Sequence, residues 1–486
     1  MEINMILIQN GFSCEYDMNI FINLFFAPDE DGFVITDFRY DGENVFVYCE
    51  IVFAGKTCFS DDVYSYQRQN PREDQKNFRC ACTKSFCHAA KKIRPVSLPW
   101  GVMSGIRPAK NVRMLRDEGK SDAEIRKALS EIYEVTPEKT ELAMQVAKNE
   151  EQILESIPKK SVSLYIGIPF CPTRCLYCSF VSTDLRVSGK YMDEFFRLLL
   201  SEIEKTKEIL KELDFYVDNI YIGGGTPTTL SAVQISALCK KLSECFDFQK
   251  IREFTLEAGR PDTITREKLL AAKSGGVNRI SINPQTMNES TLKTIGRAHS
   301  PNMVRDAFSA ARDAGFSNIN MDLIAGLPGE TPEMFEKSIE EVLLLDPENV
   351  TVHSMCVKRA ANLRFTAQKL TEQHAMDQML SYAQKRMSET GREPYYMYRQ
   401  KNISGNLENV GYAKKDFMSF YNVNIMEEAQ TIIALGGGGT SKLISGDVIE
   451  RVFNFKDPSE YIRRFDEILR KKDEILKFFK RGEAHV

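Results

Sequence analysis

No apolar run in the 486 residues approaches the ~18 needed to cross a bilayer, so no transmembrane helix is expected. The chain also has no charge imbalance. Its 64 Lys and Arg face 68 Asp and Glu, a net charge of −4. That removes any electrostatic argument for nucleic acid or an anionic membrane surface. The opening Met1-Glu2-Ile3-Asn4 has neither a basic region nor an apolar stretch, so no signal peptide is expected. These absences point to a cytoplasmic, reducing setting. The twelve cysteines, six of them within the first 90 residues, are then free thiols or metal ligands rather than disulfides. There is no low-complexity tract, and an apolar content of 43% suffices for two or three cored domains.

The most informative motif is Ile168-Pro169-Phe170-Cys171-Pro172-Thr173-Arg174-Cys175-Leu176-Tyr177-Cys178, a C-x3-C-x2-C spacing. A tetrahedral zinc site needs a fourth ligand nearby. Ser179 and Phe180 come next and the nearest histidine is far away in sequence, so none follows. Three thiolates can instead hold three irons of a [4Fe–4S] cube and leave the fourth open to a small molecule. Cys171, Cys175 and Cys178 are therefore the expected metal ligands.

Around this motif the chain changes rhythm. Residues 5–8, 19–26, 32–35 and 44–48 read as short strands separated by turns, and residues 75–157 read as helices. Ser121-Asp122-Ala123-Glu124 looks like a capping box, and Pro137 opens a further helix. From 163 onward strands expected at 163–168, 218–222, 252–257, 277–282, 317–324 and 349–354 alternate with helices at 190–212, 231–244 and 331–345. That alternation implies a parallel sheet with right-handed crossovers. Six units make a partial (β/α)6 barrel, with chemistry at the C-terminal ends of its strands. Beyond 355 the pattern is mixed, with helices expected at 366–390 and 458–479 and a turn at Gly436-Gly437-Gly438-Gly439. The expected divisions are an N-terminal α+β domain (1–158), the partial barrel (159–355) and a C-terminal substrate-side extension (356–486).

Candidate binding groups cluster at the predicted strand ends. Gly223-Gly224-Gly225-Thr226 would let a ligand approach the backbone and offer carbonyls to an amine. Glu257 could meet ribose hydroxyls or an amine, and Asp322 a ribose diol. Gln285 follows the fourth strand. Arg297 has a planar fork suited to a carboxylate. Alone, the glycine run reads as an ordinary tight turn and Glu257 as a solvated strand end; their position after the cysteine loop is what gives them weight.

As a set, I-P-F-C-x3-C-x-Y-C, GGGTPT, L-E-A, N-R-I-S-x-N-P-Q, G-R-x-H and D-L-I-x-G-L-P-G-E-T resemble the oxygen-independent coproporphyrinogen III oxidase family of radical S-adenosylmethionine (SAM) proteins. The resemblance covers about 160–465. It includes a Gly436-to-Ser441 turn and Arg451, Asn454 and Asp457-Pro458 near the end. The HemZ-type subgroup is the nearest, through Leu98-Pro99-Trp100-Gly101 and Gly105-Ile106-Arg107-Pro108. It implies that Tyr165 and Tyr177 flank cluster-bound SAM and that Gly224, Gly225 and Thr226 line its methionine. It also implies that Glu257, Gln285, Arg297 and Asp322 bind SAM polar groups, with Cys356 and Thr440 near a SAM site. A second SAM is part of the same resemblance. The implied reaction takes one electron from a flavodoxin- or ferredoxin-like donor, splits SAM to a 5′-deoxyadenosyl radical and converts coproporphyrinogen propionates to vinyls, giving protoporphyrinogen IX in haem biosynthesis. Two positions depart from the studied oxidases: Phe180 stands for a cysteine and Gly167 for a histidine. Phe180 is what the haem-chaperone branch shows. A haem-binding carrier, or a radical SAM methyltransferase or ring-opening enzyme acting on haem, are the rival readings.

Two further features remain. Cys80, Cys82, Cys87 and His88 invite a second metal site. The segment reads as helical, however, with Cys80, Lys84 and Cys87 on one face and Cys82 on another, which favours buried thiols. Tyr395 to Asn402 interleaves rings with cations. Tyr396, Tyr398 and Arg399, beside Lys401, would suit a flat carboxylated macrocycle, as readily as an ordinary strand. His353 stands near the mouth, where contact with substrate and simple packing are equal readings. A monomer is expected.

Overall fold

The computed structural model describes residues 5–27, 29–68, 70–178, 182–356, 371–400 and 406–483. Phe180 and Lys401 lie outside them. The chain divides into two compact units. The first comprises Met1–Met144, Glu372–Asp377 and Arg399–Leu407; the second comprises Gln145–Thr371, Gln378–Tyr398 and Glu408–Val486.

The first unit opens with β1 (Ile6–Asn10), α1 (Glu15–Phe25), β2 (Gly32–Tyr40), β3 (Asn44–Phe53) and β4 (Lys56–Ser65). The strands form one sheet in the order β1-β2-β3-β4, parallel between β1 and β2 and antiparallel elsewhere. Three helices follow: α2 (Pro71–Lys91), α3 (Pro108–Asp117) and α4 (Asp122–Tyr133). The strand expected at 19–26 is instead part of α1. Met18, Phe21, Ile22 and Phe25 are its buried apolar residues, a helical 3–4 spacing that β-rich composition disguised. The capping box at Ser121 and Glu124 forms as expected. α2 packs on β3 and β4 and against α1 and α4. All of Cys80, Cys82, Lys84 and Cys87 are therefore buried, and Cys82 does not point away from the protein.

α5 (Pro137–Glu155) leads into the second unit. There β5 (Ser161–Ile168) is followed by the two-residue strands β6 (Phe170–Cys171) and β7 (Thr183–Asp184), which pair with one another, then by α6 (Leu185–Ser188) and α7 (Met192–Glu212). Strand and helix then alternate. The elements are β8 (Tyr216–Gly224), α8 (Ala232–Cys245), β9 (Glu253–Glu257), α9 (Arg266–Ser274), β10 (Arg279–Ser281), α10 (Glu289–Thr294), α11 (Pro301–Asp313), β11 (Ile319–Ala325), α12 (Pro332–Leu345) and β12 (Asn349–Ser354). Side-chain caps at Ser231, Thr265, Asn288, Ser300 and Thr331 start the five helices that separate these strands. The strands are buried on both faces, as a parallel sheet covered by helices requires.

The chain ends with α13 (Gln373–Glu389), β13 (Glu393–Arg399), β14 (Glu408–Ala413), α14 (Phe420–Glu427), β15 (Ile432–Gly436), β16 (Thr440–Ser445), β17 (Val448–Phe453), α15 (Pro458–Arg463) and α16 (Phe465–Glu483). The one helix expected at 458–479 is thus two, broken at Arg464. The eleven-stranded sheet runs β13-β14-β12-β11-β10-β9-β8-β5-β15-β16-β17. Its six central strands are parallel, β15 adds a seventh parallel strand beside β5, and β14 joins β12 antiparallel. The result is an open, mixed α/β barrel sheet. The segment after β12 contributes strands to the barrel rather than standing apart.

Candidate active site

The C-terminal ends of β5, β8, β9, β10 and β11 converge, and the cysteine loop leaves the first of them. Glycine is required where the loop meets its neighbours. A Cβ on Gly225 would lie 2.6 Å from the Phe170 carbonyl oxygen, and one on Gly167 would lie 2.6 Å from that of Gly437. The second contact explains why no histidine stands at 167. The Gly225 and Thr226 amides donate to the carbonyls of Ile168 and Phe170, both at 2.8 Å. Thus Gly224, Gly225 and Thr226 first hold the root of the cysteine loop, whatever ligand they also meet.

Cys171 and Cys175 are buried, Cys178 is half-buried, and none of the three is in a disulfide. Thr226 Oγ1 donates to Cys171 Sγ at 3.2 Å. Arg260 Nη1 donates to Cys175 Sγ at 3.1 Å, while Nη2 reaches Thr173 Oγ1 at 2.9 Å. A buried cationic donor on sulfur supplies the charge-assisted hydrogen bond that a cluster-ligating sulfur accepts. Among the described residues no three His, Cys, Asp or Glu side chains converge on a single ion. A cube does not demand that, because each cysteine holds its own iron. The donor set therefore fits an iron–sulfur cube. The first unit's cysteines form no converging set among the described residues either. His88 there is held by Asp62 at 3.1 Å and Glu134 at 2.9 Å.

Arg297 is tied to protein rather than left open. Nη1 donates to the carbonyls of Gly259 (2.9 Å) and Asn283 (2.8 Å), and Nη2 to the Tyr177 hydroxyl (3.1 Å). Its Nε is buried with no hydrogen-bond partner among the described residues. It stitches the loops after β9 and β10 to the cysteine loop, while Tyr177 packs against a core of Leu292, Ile295, Ile324, Leu327 and Met355. Gln285 adopts a left-handed backbone (φ 66°). Its amide donates to the Asp322 carbonyl, and its own carbonyl accepts from Ile324, both at 2.9 Å.

Glu257 and Asp322 face the mouth with opposite tuning. Burial, with Asp322 nearby, pushes Glu257 up to about 7 against hydrogen bonds from Tyr221 and the Gly224 amide. Burial also works against ionised Asp322. His353, with Nε2 at 3.8 Å, and Asn320, with Nδ2 at 2.7 Å, outweigh it and hold this carboxyl below its ordinary value. Tyr165 of β5 lies parallel to Tyr221 of β8 beside Glu257. Cys356 follows β12 half-buried, and Thr440 opens β16 opposite Phe453.

The macrocycle expectation changes at one residue. Arg399 belongs to the first unit, where its guanidinium turns onto the carbonyls of Met103, Gly105 and Asn406 and lies 5.7 Å over the Trp100 ring. It does not offer a free fork to a propionate. Tyr396 is buried, with its hydroxyl 3.3 Å from Thr351, and Tyr398 is half-buried, with its hydroxyl 3.4 Å from His353 Nδ1. Sequence pattern missed Arg260, because a lone arginine past a strand end looks like any surface arginine. It also missed Tyr421 of α14, which packs on Tyr165 and Tyr221 from far along the chain.

Comparison with known proteins agrees with this geometry. The radical SAM superfamily matches residues 165–342. The oxygen-independent coproporphyrinogen-III oxidase-like protein HemZ of Bacillus subtilis is 41% identical over 393 residues, 79% of this chain and 77% of that one. The heme chaperone HemW of Lactococcus lactis is 38% identical over 200 residues, 41% of this chain and 50% of that one. The solved structure of coproporphyrinogen III oxidase (HemN) from Escherichia coli, at 24% identity, shares the fold with a TM-score of 0.51 over 66% of this chain and 72% of that one. With its cysteine loop, its barrel and this extent of likeness, the chain belongs to the radical SAM superfamily, which works with a [4Fe–4S] cluster and SAM, and within it to the HemZ/HemN family.

Proposed function

We propose that the chain is an oxidoreductase that converts propionate side chains of coproporphyrinogen III to vinyl groups, giving protoporphyrinogen IX. The observation that carries this reading is the 41% identity to an oxidase-like protein over 393 residues. That likeness reaches well beyond the shared superfamily region at 165–342. Bound in the cysteine loop, the cluster with SAM supplies a one-electron cleavage that yields a hydrogen-abstracting radical.

The chain's own groups would act around it. Cys171, Cys175 and Cys178 hold the irons, Arg260 and Thr226 brace the sulfurs, and Asp322 and Glu257 bind the nucleoside end of SAM. Tyr165, Tyr177, Gln285 and Arg297 shape the pocket, with Cys356 and Thr440 at its margins. Tyr398 and His353 are the proposed donors to a tetrapyrrole carboxylate, with Tyr396 packed beneath, in place of Arg399. A flavodoxin- or ferredoxin-like protein supplies the electron to a cytoplasmic monomer.

A second reading, haem carriage without decarboxylation, is favoured by the 38% identity to a heme chaperone and by Phe180 in place of a cysteine. An anaerobic assay with reconstituted cluster, SAM, reductant and coproporphyrinogen III separates the two. Vinyl product supports the oxidase; tight haem binding with no turnover of porphyrinogen overturns it in favour of carriage.

A further inference from the structure

Three tyrosines stack inside the barrel of the second unit. The Tyr221 and Tyr421 rings lie 4.5 Å apart, 19° from parallel. Tyr165 lies 6.3 Å from Tyr221 at 16° and 6.5 Å from Tyr421 at 19°. The Tyr221 hydroxyl donates to Glu257 Oε1. Packing alone asks for neither feature, since three phenylalanines would fill the same space. A phenol is hard to oxidise because its cation radical is very acidic. A carboxylate already accepting its proton removes that obstacle, because the product is then a neutral phenoxyl radical, which the near-parallel rings shield from solvent by packing. Among the described residues other tyrosines also donate to carboxylates, such as Tyr48 to Glu50, Tyr66 to Asp74, Tyr382 to Glu340 and Tyr461 to Glu202. None of the four lies in a parallel stack with further tyrosines.

The position matters as well. Tyr221 lies on β8, which runs out through Gly223 and Gly224 into Gly225 and Thr226, and Thr226 is bonded to a cluster cysteine. The groups facing the pair are Arg279 from β10 and Asp322 from β11, so one cation and one anion flank Glu257.

We infer that Tyr221 is a redox-active tyrosine, with Glu257 as its proton acceptor and Tyr421 and Tyr165 as the rings packed against its neutral phenoxyl radical. In the step, the phenolic O–H bond breaks, the proton rests on the Glu257 carboxylate, and one electron leaves to a one-electron oxidant. In the working protein the oxidant is a carbon-centred radical gone astray at the barrel mouth, which takes the electron and a solvent proton to become a C–H bond. The return step takes one electron from the reductant that serves the cluster, and the proton comes back from Glu257. The device would discharge misfired radicals before they reach the cysteine loop. It stands independently of the tetrapyrrole reading, because it needs only the radical and the electron donor of radical SAM chemistry, whatever the substrate.

The test uses the full-length protein, anaerobic, with a photogenerated ruthenium(III) polypyridyl complex as oxidant and rapid freezing for electron paramagnetic resonance. Wild type should give a tyrosyl signal, identified by its collapse on ring-deuteration of tyrosine. Tyr221→Phe, which keeps the ring and the stack, should lose most of it, whereas Tyr48→Phe should not. As a direct marker, 2,3-difluorotyrosine placed at 221 should add fluorine splitting to the signal. Equal yields in wild type and Tyr221→Phe, or a signal without fluorine splitting in the labelled protein, overturns the assignment.

Discussion

Two arginines near the cysteines spend their guanidinium groups on protein atoms, and that changes what their removal should do. Arg260 places a positive donor on Cys175 Sγ. A cation beside a thiolate favours the more negative, reduced state of a cluster. Arg260→Gln should therefore lower the cluster's midpoint potential while the iron stays near four per chain; a potentiometric titration reads this, and an unmoved potential would remove Arg260 from the cluster's surroundings. Arg297 ties three loops together, so Arg297→Ala should lose both SAM affinity and retained iron. Asp322→Asn should lose only SAM affinity, about ten- to a hundredfold for one charge-assisted bond of ~1.5–3 kcal/mol. Binding titrations beside iron analysis of both variants distinguish the two patterns, and full iron in Arg297→Ala contradicts the stitching role. At this scale the sequence was legible where spacing encodes chemistry, as in the three cysteines. It was not legible where a side chain must choose among partners. Nothing in G-R-x-H says whether the arginine meets a ligand or the carbonyls of Gly259 and Asn283.

Elements were legible wherever period and caps agreed. The βα alternation and the Ser121 box came through because buried strands and capped helices leave local marks. α1 did not, since Ile20, Phe21, Ile22, Phe25 and Phe26 carry strand propensity while the burial period is helical; tertiary packing on α2 decided it. In α2 itself, the hydrogen bond that His88 donates to Glu134, aided by Asp62, raises His88 above its ordinary value against partial desolvation. The sign follows from that direction. A raised folded value means that His88 contributes stability fully below the unfolded pKa of about 6.5, and loses it as pH rises through the folded value. Denaturant unfolding of the full chain, followed by a probe in the first unit, should show stability falling from neutral toward alkaline pH. His88→Gln should remove that dependence; an unchanged slope in the variant would assign the effect elsewhere.

On the scale of the whole molecule, a buried node joins strand pairing in binding the extension after β12 into the barrel. Glu202 of α7 pairs with Lys472 of α16 at 2.9 Å, both side chains almost wholly buried. Glu202 also accepts from the Gly436 amide (2.8 Å), Asn454 Nδ2 (2.7 Å) and the Tyr461 hydroxyl (2.6 Å). Removing one partner of a buried pair strands the other charge, so Lys472→Met should cost about 3–5 kcal/mol. Urea unfolding checks this, with the exposed Lys240–Glu244 pair as a control expected to matter by about 0–1 kcal/mol. The partial barrel was legible in the strand spacing. The sheet order was not, because the pairing of β15 with β5 joins residues some 270 positions apart and leaves no local signature. That pairing also sets an order of events in the cell. Gly167, at the root of the cysteine loop, has Gly436 and Gly437 as its backbone neighbours. Those residues are made some 270 positions after Gly167. The first barrel strand therefore waits, one edge bare, until β15 has emerged from the ribosome. Until then the root of the cysteine loop lacks the backbone that closes on it.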